Sequence, residues 1–152
     1  MEDLKKTAND VMSNLMKIAS SFREEKGEEV QPMIAFLVGN QCELMPREAF
    51  PSRDKDQIAT WIREIAMARG ASCVFTVGEA WVAQRTEEDL NSGPAPSKDP
   101  DRKEVIMVTA SGLGISLMLM REILGPDKLG EIQSHSDFTG RFSDLSGREM
   151  LN

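Results

Sequence analysis

Ala71-Ser72-Cys73-Val74-Phe75-Thr76-Val77-Gly78-Glu79-Ala80-Trp81-Val82-Ala83-Gln84 decides how the rest of the chain is read. It holds a single charged side chain, Glu79, and no proline, and its first half is rich in β-branched and aromatic residues, so a long strand is expected. Side chains alternate along a strand. Val74, Thr76, Gly78, Ala80 and Val82 fall on one face and are small enough for a helix to pack close above them. Phe75, Val77, Glu79, Trp81 and Ala83 fall on the other, which sets a carboxylate beside an indole. A loop over Thr86–Asp101, with Pro94, Pro96 and Pro100, leads to Arg102-Lys103-Glu104 and a second strand over Lys103–Ala110.

Upstream, Met33-Ile34-Ala35-Phe36-Leu37-Val38 is an unbroken apolar run, as in a strand covered on both faces. Gly39-Asn40 suits a two-residue hairpin turn into Gln41–Met45, which Pro46 stops. Two helices flank this hairpin. Over Glu2–Lys26, Leu4, Ala8, Val11, Leu15, Ile18 and Phe22 recur at steps of four and three, widened by Met12, Met16 and Ala19, and Gly27 follows where a helix stops. That spacing serves a coiled-coil seam, but a stripe so broad suits docking on the chain's own sheet better. Over Ser52–Arg69, Asp54 is the expected N-cap and Gly70 the residue after the last turn; Ile58, Trp61, Ile62, Ile65 and Ala66 form the apolar face.

Downstream, Ser111–Gly114 is a turn, and Ile115–Leu124 is a strand with Met118 and Met120 on one face. Leu129–Gln133 gives a short sixth strand. The expected fold is therefore α+β, one domain over residues 1–133, with a single antiparallel-rich sheet of five or six strands and two helices in the order α-β-β-α-β-β-β. Residues 134–152 read as a loosely docked or flexible tail. A strand order 2-1-5-4-3, with helices against a face, resembles the profilin-like and roadblock-like small domains, whose fold alone specifies no function.

Composition narrows the function classes. The formal net charge is -7, no basic block occurs and tyrosine is absent, so nucleic acid is not an expected partner. The N-terminus shows no secretory signal and no apolar run is long enough to span a membrane, which points to a cytoplasmic protein without membrane association. Cys42 and Cys73, in apolar strand-like runs, are expected as buried reduced thiols. With one histidine and no Cys-x-x-Cys or Glu-x-x-His spacing, neither a metal site nor a cofactor is expected.

Few residues suggest chemistry. Glu79 and Trp81 should meet Arg102 and Glu104 at one end of the central hairpin. There Glu79 either pairs with Arg102 to fix strand register or binds a ligand's cationic group against Trp81. Glu79 and Glu104 lack the fixed spacing that would mark a two-carboxylate hydrolase. Gly112-Leu113-Gly114 reads as a hairpin turn rather than a phosphate loop, and Ser134-His135-Ser136-Asp137 as a polar turn rather than a triad.

Glu79-Ala80-Trp81 and Pro96-Ser97-Lys98-Asp99-Pro100-Asp101-Arg102-Lys103-Glu104 resemble an uncharacterised family of hypothetical phage and bacterial proteins, over about the middle third of the chain. The resemblance implies that these residues act together and brings no activity with it. The expected function is a non-enzymatic binding domain that self-associates as a dimer through Leu4, Val11, Leu15, Met118 and Met120. The alternative is a small-molecule or enzymatic site at Glu79, Trp81 and Arg102.

Overall fold

The computed structural model describes residues 2–46, 54–82, 103–112 and 114–136. The elements are α1 (Glu2–Lys26), β1 (Met33–Val38), β2 (Gln41–Pro46), α2 (Lys55–Arg69), β3 (Cys73–Val82), β4 (Lys103–Gly112), β5 (Ile115–Gly125) and β6 (Lys128–Ser136). The expected loop over 86–101, Arg102 and the expected tail beyond Ser136 lie outside the described residues.

The strands form one six-stranded antiparallel sheet, so the chain is α+β with the expected element order. The strand order differs from expectation. It is β2-β1-β3-β4-β5-β6, a continuous meander after α2, and not 2-1-5-4-3. Burial explains the choice. Cys73, Val74 and Phe75 are fully buried, so β3 needs a neighbour on both sides as well as cover on both faces. It gains them by pairing with β1 from Met33↔Val77 to Leu37↔Cys73, and with β4 from Cys73↔Gly112 to Val82↔Lys103. The order 2-1-5-4-3 would have put β3 at an edge. The edge falls instead to β6, whose Lys128, Glu131, Gln133, Ser134 and His135 are exposed and tolerate water on one side. β6 also runs longer than expected and takes in Ser134–Ser136.

The helices lie on opposite faces of the sheet, not on one. Ala8, Met12, Leu15, Met16 and Ala19 of α1 pack on Ala35 and Leu37 of β1, Phe75 and Val77 of β3, and Ile106 and Val108 of β4. Ile58, Ala59, Ile62 and Ala66 of α2 pack on Ile34, Phe36 and Val74. Odd-numbered β1 and β3 residues thus face α1 and even-numbered ones α2, which is why the β1 run is apolar without alternation. The buried stripe of α1 is rotated from the expected one, and Ile18 is 46% exposed.

Local signals set the helix ends. The Asp54 carboxylate accepts from the Asp56 N–H at 2.9 Å and the Gln57 N–H at 3.4 Å. At the other end Gly70 takes φ +65°, its N–H bonds the Met67 carbonyl, and the Ala71 N–H bonds the Ala66 carbonyl. α1 ends likewise: Gly27 takes φ +62°, its N–H bonds the Arg23 carbonyl at 2.9 Å, and the Glu28 N–H bonds the Phe22 carbonyl at 3.0 Å. Positive φ is open to glycine without steric penalty, so both reversals are legible in the sequence.

One glycine is held by a close approach. A Cβ on Gly112 would sit 2.7 Å from the Ser72 carbonyl oxygen, on backbone that pairing with β1 and β4 keeps in place. Gly112→Ala is expected to lower stability by about 1–3 kcal/mol, the usual penalty for overpacking. A Cβ on Gly78 meets nothing within 4 Å. Gly78→Ala should therefore be neutral or gain up to about 1 kcal/mol through the unfolded chain. Urea denaturation of both variants checks this, and equal losses at the two positions would contradict it.

Candidate functional site

β3 and β4 bring three of the four expected cluster residues together. The register sets Trp81 opposite Glu104 and Glu79 opposite Ile106, so Glu79, Trp81 and Glu104 share the α1 face. Arg102, the expected partner of Glu79, lies outside the described residues; among the described residues the partner is Arg23, from the last turns of α1. Arg23 Nε donates to Glu79 Oε2 at 2.8 Å, and Arg23 Nη2 donates to Glu79 Oε1 at 2.5 Å. This is the two-pronged geometry that a planar guanidinium offers a carboxylate. The side chains are 12% and 8% exposed, so the pair is largely withdrawn from water.

Glu79 holds a third element as well. The reversal at Gly27 turns the chain back past the end of α1, and the Val30 N–H donates to Glu79 Oε2 at 2.8 Å. One carboxylate therefore ties together the end of α1, the linker into β1 and the middle of the sheet. Arg23 Nη2 also reaches Glu104 Oε1, at a longer 3.3 Å.

The electrostatics of the two carboxylates diverge. Burial pushes the Glu79 carboxyl up, but hydrogen bonds from Arg23 and Val30, with the guanidinium charge, outweigh it and hold the group below its ordinary value. For Glu104, burial, the hydrogen bond it shares with Glu79 and the Glu79 charge all push upward, against the attraction of Arg23, and the net shift is up. Glu79 raises the Arg23 guanidinium in turn, against burial, which lowers it.

Beside the pair is an open cleft of about 270 Å³, lined by Arg23, Glu29, Glu79, Ala80, Trp81 and Glu104. Trp81 is 42% exposed, so its indole gives the cleft an apolar wall. The lining carries three carboxylates against one guanidinium already engaged by Glu79. It therefore favours a cation over an anion. Arg121 of β5 makes a second tie to α1: it bonds the Ser20 hydroxyl at 3.1 Å, the Glu24 carboxylate at 3.0 Å and the Gly130 carbonyl at 2.7 Å.

The other expected site residues separate. Leu15 is 4% exposed in the core under α1, and Leu4 and Val11 are partly buried against it. That stripe docks on the chain's own sheet. Met118 and Met120 lie on the opposite face, half-buried, with Met120 in register with Met107 and Met118 with Thr109. Cys42, expected to be buried, is exposed near one end of the edge strand β2. Cys73 is buried as expected, and burial pushes its thiol up to about 12. Among the described residues no group of three acidic, histidine or cysteine side chains is placed to hold a metal ion. Among the described residues no helix is long and apolar enough to cross a membrane.

Arg23 was missed because it lies 56 residues from Glu79. Its signal is the helical phase: Met12, Met16, Ala19 and Arg23 step by four, three and four, so a guanidinium continues the buried stripe.

The opposed shifts predict opposite pH responses. A lowered carboxyl contributes stability that is present above its unfolded value, about 4.3 for Glu, and is lost as pH falls through the folded value. Glu79→Gln should therefore be less stable than the parent at pH 7, with the gap narrowing on acidification. A raised carboxyl contributes stability that is present below the unfolded value and is lost as pH rises through the folded one. Glu104→Gln should thus be more stable than the parent at pH 7 and converge with it in acid. Urea denaturation from pH 3 to pH 8 tests both; a pH-independent difference for either variant would contradict its assignment. Compared with family models, with curated proteins and with solved structures, the chain matches none. The resemblance carried by Glu79-Ala80-Trp81 and the loop before Glu104 therefore rests on those two stretches alone.

Proposed function

We propose that the chain is a non-enzymatic binding domain that associates with a second copy of itself. The observation that carries this is the methionine patch on the sheet face opposite α1. α2 packs there on Ile34, Phe36 and Val74, at the β1 side of the sheet. Further along the same face Met107, Met118 and Met120 of β4 and β5 are half-buried, with small Gly78 and Ala80 beside them on β3. Flexible, polarisable thioethers adapt to an apolar partner surface at little conformational penalty. The pairing of Arg23 with Glu79 and Val30 supports a structural role for this largely buried charged cluster, rather than proton transfer. The acidic chain and its free thiols at Cys42 and Cys73 favour a cytoplasmic protein whose partner is protein rather than nucleic acid.

The Trp81 cleft supports a second function, binding of a small organic cation. An indole wall with Glu29 and Glu104 suits an ammonium or guanidinium group through cation–π and charge contacts. Agmatine should then raise the melting temperature of the parent but not of Glu104→Gln, and equal shifts in both would remove this alternative.

Native mass spectrometry and sedimentation velocity over a concentration series test self-association. A dimer is expected, and Met118→Glu should shift it toward monomer by at least tenfold in Kd, equivalent to about 1.4 kcal/mol. Circular dichroism must show the variant folded, and Met118→Gln provides the milder control. A monomer at high micromolar concentration, or a dimer indifferent to both substitutions, would overturn the assignment of this face.

A further inference from the structure

We draw no further inference here: the strongest candidate, the half-buried Met107, Met118 and Met120 patch on the sheet face opposite α1, belongs to the function already proposed, and nothing in the structure shows what covers it.

Discussion

The fold depends on one constraint: the Glu79 carboxylate is largely withdrawn from water at the inner wall of the cleft and cannot remain there unpaired. Withdrawing a charge from water is costly unless a counter-charge and hydrogen bonds replace the lost solvation. At 8% side-chain exposure, Glu79 meets that demand with both prongs of Arg23 and the Val30 N–H. The bonds come from α1 and from the linker into β1 and converge on β3, so satisfying the charge also fixes where α1 ends, where the chain reverses and how β1 is approached. Arg121 adds a second fixed point under the same helix, through Ser20 and Glu24. An apolar stripe alone lets a helix slide or rotate on a sheet. Two arginine contacts with directional geometry set its position.

Polarity divides the sheet in the same way. β1 and β3 are apolar on both faces over their buried segments and occupy the interior, while β2 and β6 form the edges. Thr109 and Ser111 of β4 are buried on the face opposite α1, and the Thr109 hydroxyl contacts that of Thr76 on the neighbouring strand. Such cross-strand hydroxyl pairs hold register without demanding apolar cover. The β2 edge is anchored by Glu43, which bonds Arg69 at the end of α2. With α1 and α2 on opposite faces, the methionines of β4 and β5 lie away from both helix contacts.

Local chemistry was legible in the sequence, and long-range pairing much less so. Asp54, Gly27 and Gly70 mark helix ends because capping and positive φ depend only on near neighbours. The unbroken apolarity of Met33–Val38 announces cover on both faces, which α1 and α2 supply. The pairing of consecutive strands from β3 to β5 was legible, but the strand that joins β1 was misjudged as β5 rather than β3, although the polar sequence of β6 already pointed to an edge. Arg102 was an expected partner of Glu79 because the hairpin sets both at one end, and it lies outside the described residues. Arg23 could not be expected in the same way, since only a helix crossing the sheet brings it to Glu79. The exposure of Cys42 could not be read from an apolar neighbourhood alone, since it depends on β2 being at the edge.

The Arg23–Glu79 pair ties α1 to the sheet. A double-mutant cycle measures this most directly, with Arg23→Met, Glu79→Gln and the pair combined, each followed by urea denaturation at pH 7. Arg23→Met leaves the largely buried carboxylate with only the Val30 N–H and should cost about 1–3 kcal/mol, the usual penalty for a polar group left short of its partners. The double variant should be markedly more stable than the sum of the singles predicts, with a coupling of about 2 kcal/mol or more for groups in direct contact. Additive losses within about 0.5 kcal/mol would mean that the two side chains act independently, and would contradict the account.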